Sequence, residues 1–395
     1  DTGYLPHADL NGKFVQGYDF VSSATMGNDG NGRDSDARDP GDNTIAGECG
    51  NGQPSSDRAS SWHGTHVAGT IGAATNNGVG VAGVAYGAKV LPVRVLGKCG
   101  GYTSDIADGI IWASGGTVSG VPANANVAKV INMSLGGGGA CDATSQSAIN
   151  SARSRGTVVI VAAGNENQNA SNSNPANCAG VVTVAATNRS GGRAWYSNYG
   201  TVVDVAAPGG DTSVSANGIL STLNAGTGAP GADSYAFYQG TSMATPHVAG
   251  VAALMLSKNS ALTPDDIESK LKSSSRAFPA TCSQCGSGIV DANAAVDAAT
   301  GGGGGGTTLA ESESNNTTGT SDAVTVSGTT VNANMGSTSD VDYFVVQLPA
   351  GKTLTSVLTP TSGTADYDLF VYNSAGTLLG KSERGAGQVD RYAAT

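Results

Sequence analysis

Four short segments of a 395-residue chain carry side chains that could do chemistry together. The sequence opens on Asp1-Thr2-Gly3, and His63-Gly64-Thr65-His66-Val67-Ala68-Gly69 heads a helix-like stretch. Gly164-Asn165 closes an apolar run, and Gly240-Thr241-Ser242-Met243-Ala244-Thr245-Pro246-His247 begins a second helical stretch. A hydroxyl, an imidazole that takes its proton and a carboxylate that fixes the imidazole tautomer together make an acyl-transfer nucleophile. Carboxylate, imidazole and hydroxyl follow in that order here, one of three orders in which unrelated folds assemble the set. A serine in the first turn of a helix also sits among unpaired N–H groups at the positive end of the dipole, which favours a developing oxyanion. Gly240, Ala244 and Pro246 suit a first turn past which a substrate backbone must run closely.

Each element has an ordinary reading when taken alone. Ser after Gly-Thr is an N-cap, Asp-Thr-Gly also occurs in turns and in aspartic proteases, and Asn after Gly is a turn residue. His63 and His66 lack the Glu of His-Glu-x-x-His, which argues against a zinc peptidase. Together and in order, the segments resemble the subtilisin-like serine proteases over residues 1–299. The resemblance implies Ser242 as nucleophile, His63 as general base and then acid, Asp1 as orienting carboxylate, and Asn165 as oxyanion donor beside the Ser242 N–H. His66 and His247 become structural neighbours. It also implies that Ile131-Asn132-Met133-Ser134-Leu135-Gly136-Gly137 holds the substrate through Ser134, Leu135 and Gly136, opposite Gly100, Gly101 and Tyr102. A peptide or protein substrate clamped as an added strand is read by its backbone, so broad endopeptidase specificity is expected. Two rivals remain to be weighed. A sedolisin-type acid peptidase would replace the imidazole with carboxylates, against which stand His63 and Asn165. A silent scaffold that binds protein through its groove or tail would not need the complete set.

These residues need a frame. Between residues 88 and 209, β-branched runs (88–96, 127–135, 157–163, 181–186 and 202–206) alternate with helical periods (104–113 and 145–155). That alternation predicts an α/β fold, a parallel sheet with helices on both faces, whose C-terminal strand ends carry the site. Further helices are expected over 242–256 and from Thr263-Pro264-Asp265-Asp266, where Thr caps, Pro takes the first turn and the acids meet the positive helix end. Six consecutive glycines at 301–306 read as a flexible linker within a boundary at 300–306. Residues 307–395 show no helical period, and runs at 343–348, 353–358 and 368–372 predict a small all-β module. Glu311-Ser312-Glu313-Ser314-Asn315-Asn316, Asp340-Val341-Asp342-Tyr343-Phe344 and Asp366-Tyr367-Asp368-Leu369 resemble the bacterial pre-peptidase C-terminal domain, a β-sandwich appended to secreted proteases.

Lys and Arg number 20 against 31 Asp and Glu, a net charge of −11 that argues against nucleic acid or an anionic membrane as partner. No apolar run approaches the ~18 residues that span a bilayer. The 59 glycines follow no triplet repeat, which excludes collagen. Low charge and six cysteines point to a secreted bacterial protein. Starting on Asp1 and stopping at Thr395, the sequence reads as a fragment or processed piece of a longer precursor, with a propeptide as partner, a central strand expected before Asp1, and a monomeric state. Residues 26–44 crowd Asp29, Asp34, Asp36, Asp39 and Asp42 among glycines, a candidate calcium loop that lacks EF-hand spacing. A second calcium loop is implied by the family resemblance at residues 75–81, with Asn77 as ligand and Asp9 completing it. Six cysteines allow fifteen pairings. Cys282-Ser283-Gln284-Cys285 follows a helix without a second pair or a nearby His, so a local bridge is expected rather than a redox or zinc motif. Cys49 with Cys99 and Cys141 with Cys178 are expected to tie loops flanking the substrate edge, a closure of ~50 residues giving roughly 4 kcal/mol in the chain-entropy model.

Overall fold

The computed structural model describes residues 1–300 and, beyond them, 308–312, 314–324, 330–332, 341–348, 354–360, 364, 366–388 and 390–394. The glycine run at 301–306 lies outside the described residues. The chain divides into two compact units, Asp1–Gly305 and Gly306–Thr395.

In the first unit the elements that position the site are, in chain order, α1 (His63–Gly72), α2 (Thr103–Ala113), β1 (Val130–Met133), α3 (Ala143–Ser154), β2 (Val158–Ala162), β3 (Val182–Thr187) and β4 (Val205–Pro208). There follow the hairpin strands β5 (Ile219–Asn224) and β6 (Asp233–Tyr238), then α4 (Thr241–Lys258), α5 (Pro264–Ser273) and α6 (Ala292–Ala299). Strands β1 to β4 form one parallel sheet in sequence order. Every residue of β2 and β3 is buried, as expected for strands covered on both faces. The strand period of two then sorts their side chains. Val158, Ile160, Val182 and Val184 pack with Val248, Ala252 and Met255 of α4. Val159 and Val161 face Ile110 of α2 and Ile149 and Ala152 of α3. The result is the expected helix–sheet–helix sandwich.

Three local outcomes differ from the sequence reading. The run at 88–96 yields no continuous strand but a parallel pairing of Val93–Arg94 with Tyr18–Asp19 and an isolated parallel bridge of Val90 with Phe14, because Pro92 between them has no N–H with which to join the ladder. The β5–β6 hairpin and α6 were not anticipated. The hairpin strands are joined by a glycine-rich loop longer than the usual tight turn, and the alternating burial that marks a strand is weak in β6. For α6 the signal was present, since Asp291 accepts from the Ala294 N–H as an N-cap before an alanine-rich segment. The α5 start behaves as read: Thr263 and Asp266 form a reciprocal capping box with Pro264 in the first position.

In the second unit the described strands pair two by two, Thr308–Ala310 with Thr330–Asn332, Asp322–Val324 with Phe344–Val346, Leu354–Leu358 with Asp390–Ala394, and Leu369–Tyr372 with Leu378–Ser382, and no helix occurs among the described residues.

Candidate active site

His63 is the first residue of α1, and its Nδ1 lies 2.9 Å from Asp1 Oδ1. The same carboxylate oxygen accepts the Thr2 N–H at 2.7 Å, while the Asp1 carbonyl accepts the N–H groups of Val95 and Leu96 at 2.9 and 3.1 Å. Thr2 Oγ1 accepts the Gly64 N–H at 3.1 Å, and a Cβ on Gly64 would stand 1.9 Å from the Gly3 carbonyl oxygen. Backbone thus lies directly on backbone, and the contact sets how far Asp1 stands from His63. Burial pushes the His63 pKa down, opposed by Asp42 and Asp39. The imidazole is therefore neutral at neutral pH, the form that can accept a proton.

Ser242 is the second residue of α4, and its Oγ donates to the Ser134 carbonyl at 3.3 Å rather than to His63. Ser134 returns the contact, its own hydroxyl donating to the Ser242 carbonyl at 2.7 Å while accepting from Asn132 Nδ2 at 3.0 Å. The reason lies four residues along the helix. Pro246 sits inside α4 rather than in its first turn as expected, and it lacks the N–H that would bond the carbonyl at position i−4, which is that of Ser242. Ser134 supplies the missing donor. Sequence reading had placed Ser134 only on the substrate strand; the proline four residues after the serine was the signal for this second role.

Asn165 follows β2, at the C-terminal end of the sheet. Its Oδ1 accepts both the N–H and the hydroxyl of Thr241, at 2.8 and 2.9 Å, and the Thr241 hydroxyl also accepts the Gly164 N–H at 3.2 Å. With the amide oxygen tied to the helix start, the Asn165 NH₂ is the end left free, and it belongs to an exposed residue beside Ser242. Both arms expected to hold a substrate are also placed. Leu135 and Gly136 continue outward from β1, and Gly100 closes a tight turn with Gly97 through mutual N–H···O bonds of 2.9 and 3.2 Å. Gly101 approaches the Val95 carbonyl so closely that an added Cβ would lie 2.2 Å away, and Tyr102, 51 % exposed, precedes α2. Leu96 and Leu135 pack on one apolar cluster with Ile106, which brings the two arms to the same ground. The three disulfides pair as expected, Cys49 with Cys99, Cys141 with Cys178 and Cys282 with Cys285. The first ties the Gly97–Gly100 turn and the second ties the segment beyond Gly138.

Of the three other histidines, His66 and His247, expected as structural neighbours, both bond backbone carbonyls. His66 is fully buried, its Nε2 3.0 Å from the Ala236 carbonyl and its ring stacked on Tyr238 at 4.5 Å. His247 Nδ1 meets the Met243 carbonyl at 2.8 Å, one turn back along α4.

The acidic segment does not converge. Asp29 pairs with Arg94 at 2.7 Å, Asp36 with Arg38, Asp34 accepts Asn31 Nδ2 and the Asp36 N–H, Asp39 accepts the Gly41 N–H, and Asp42 accepts the N–H and hydroxyl of Ser61. Two arginines and several backbone donors take the five carboxylates in different directions, so they do not fit a shared cation. No group of three His, Cys, Asp or Glu side chains suited to a metal occurs among the described residues. Asp9 is different. It is fully buried, forms no ion pair among the described residues, and accepts from Asn77 Nδ2 at 2.6 Å, the Val81 N–H at 2.8 Å and the Tyr235 hydroxyl at 3.4 Å. A buried carboxylate without a counter-charge, facing an amide whose oxygen a half-turn would bring inward, fits a hard oxygen-seeking cation.

The profile of the subtilase family matches residues 1–319. An extracellular protease of Xanthomonas campestris pv. campestris is 64 % identical over 301 residues, covering 76 % of this chain and 50 % of that protein. An extracellular basic protease of Dichelobacter nodosus is 52 % identical over 309 residues, again 76 % of this chain and 50 % of its own length. The chain thus spans about half the length of these two curated relatives. A solved structure described as proteases from Pseudoalteromonas arctica matches with a TM-score of 0.74 at 66 % identity, over 76 % of this chain and 88 % of the other. The parallel sheet, the residues gathered at its C-terminal end and these likenesses lead to one conclusion: the chain belongs to the subtilase family.

Proposed function

We propose that this chain is a serine endopeptidase, acting outside the cell on the peptide bonds of proteins with broad specificity. The observation that carries the reading is the 2.9 Å contact between His63 Nδ1 and Asp1 Oδ1. It leaves Nε2 as the ring nitrogen free to act as base, in a site where Asn165 is locked to the helix that bears Ser242. In the first step the Ser242 hydroxyl turns from the Ser134 carbonyl to His63 Nε2 and gives up its proton as Oγ attacks the scissile carbonyl carbon. The Asn165 NH₂ and the Ser242 N–H stabilise the oxyanion. Asp1 holds the Nδ1–H tautomer and the imidazolium that forms. His63 then passes the proton to the leaving amine as the C–N bond breaks, and water, activated by the same imidazole, cleaves the acyl-enzyme. The arms at Ser134–Leu135–Gly136 and Gly100–Gly101–Tyr102 align the substrate backbone as an added strand.

Several parts of this reading come with it. The relatives named as extracellular proteases support secretion, and the bridged cysteines agree with an oxidising compartment. Calcium belongs at Asp9 and Asn77, where it would neutralise a buried carboxylate and stiffen the 75–81 loop without entering the reaction. A propeptide, a monomeric state and a pre-peptidase-type β domain over 307–395 complete the proposal. The test is covalent labelling by a fluorophosphonate together with hydrolysis of a chromogenic peptide. The parent chain should do both and the Ser242→Ala variant neither while remaining folded; a variant that still hydrolyses peptide removes Ser242 from the chemistry.

A further inference from the structure

The residue before the base is a tryptophan in a conformation that tryptophan avoids. Trp62 has φ +48° and ψ +32°, the left-handed region, where a bulky side chain is a genuine outlier. Glycine would sit there without strain. Local strain of this kind persists only where the surroundings enforce it, and it gathers at functional sites. The enforcing contacts are visible. The indole is 1 % exposed, and its Nε1–H donates to the Gly226 carbonyl at 2.7 Å. That carbonyl belongs to the loop joining β5 to β6, which Asn224 braces from within: its Oδ1 accepts the N–H groups of Gly226 and Gly231 at 2.9 and 2.6 Å, and its Nδ2 donates to the Gly231 carbonyl at 2.9 Å. The loop is also held to the segment that leads into α1, through Ser60 N–H to the Thr227 carbonyl at 2.8 Å and Ser60 Oγ to the Gly228 carbonyl at 2.6 Å.

On the other side of the turn, Asp42 grips Ser61 by its N–H and its hydroxyl, and Ser61 Oγ accepts the His63 N–H at 3.3 Å. The Trp62 carbonyl accepts the His66 N–H at 3.2 Å, so the same residue that turns the chain also starts α1. Without the left-handed step, the direction in which the chain enters the helix changes, and with it the direction of the first side chain, His63.

We propose that Trp62 is a positioning residue for His63: its indole, locked into the 225–231 loop, holds a strained turn that aims the imidazole at Asp1. The hairpin loop thereby becomes part of the catalytic frame. The inference rests on the reading of His63 as base.

The test uses the full chain with Ser242 intact and compares Trp62→Phe, which keeps the bulk and removes the N–H, with Trp62→Gly, which relieves the strain and removes the anchor. kcat and KM are measured on a chromogenic peptide, together with the rate of fluorophosphonate labelling and the folded fraction at the assay temperature. Both variants should lose roughly 10- to 100-fold in kcat, the scale of a misplaced catalytic group, with KM within about twofold. Labelling should slow in the same proportion in molecules that are still folded. If Trp62→Phe does not fold, Trp62→Gly is read alone. A glycine variant with the parent kcat overturns the proposal, and so does a loss of labelling that matches the unfolded fraction, because the role is then only structural. Failure of the parent chain itself to label would instead strike the peptidase reading.

Discussion

His66 should make the catalytic unit sensitive to mild acid. It is fully buried, and its Nε2 bonds the Ala236 carbonyl. Burial, joined by the nearby His63 and His247 and opposed by backbone hydrogen bonds to Ala236 and Ile219, pushes its pKa from 6.5 down to about 4. The sign follows from the proton count. Between these values the unfolded chain binds a proton that the folded chain refuses, so stability rises with pH across the window, is complete above about pH 6.5 and is lost as pH falls toward 4. Integrating between those two pKa values gives a loss of about 2–3 kcal/mol at pH 4.5 relative to pH 7.5. For a unit of some 300 residues this corresponds to roughly 4 °C in melting temperature. The assay is thermal melting from pH 7.5 to 4.5 in the Ser242→Ala background, which cannot digest itself, with and without His66→Gln. Glutamine keeps a donor for Ala236 and removes the titration, so the two curves should converge as the pH falls. Parallel curves would show that His66 keeps its proton affinity on folding and that the burial argument is wrong.

Other outcomes follow from the same geometry. Asn165→Ala should lower kcat on peptide substrates by roughly 100- to 1,000-fold with little change in KM, a magnitude known from this kind of amide in a subtilisin rather than worked out from these distances; steady-state kinetics decide it. Ser134→Ala strands the carbonyl that Pro246 leaves unpaired and should cost about 1–3 kcal/mol of stability, less in a Pro246→Ala background, where residue 246 regains its own N–H. A double-mutant cycle without coupling between the two positions refutes that pairing. Chelation should shorten the half-life at warm temperature by opening the 75–81 loop to self-digestion while leaving the initial rate intact. Asp9→Asn should abolish this calcium response and Asp36→Asn should not; the reverse pattern would return calcium to the acidic segment.

The parallel sheet and its two helical layers were legible because strands buried on both faces are written as unbroken apolar runs, as at Val158–Ala162. The residues proposed for catalysis were legible for another reason: chemistry demands particular side chains, and Asp1, His63, Asn165 and Ser242 carry it in their types. What escaped were relations between segments. Nothing local to residues 26–44 shows that Arg94, far along the chain, takes Asp29. Sequence spacing measured the density of carboxylates but not their directions. The role of Ser134 as donor to the Ser242 carbonyl required two facts at once, a proline inside a helix and a strand end beside it. Trp62 was invisible because a residue's φ is imposed by its surroundings, and tryptophan gives no hint that it occupies a glycine's conformation.

The contact between Gly3 and Gly64 has a consequence for how variation at this site would be read. A library covering every position should find both glycines as intolerant as Ser242, although neither offers a functional group to a substrate. Any side chain on residue 64 enters the space of a carbonyl oxygen, and one on Gly3 meets the Ala37 carbonyl at 2.6 Å in a left-handed backbone. Enlarging one while shrinking the other is not open, since both are already at the minimum. Tolerance maps of the region would therefore show two classes of forbidden change that look alike in an activity screen and separate only by abundance. Changes to Ser242 should leave inactive protein in the tube, whereas changes to Gly3 or Gly64 should leave little protein.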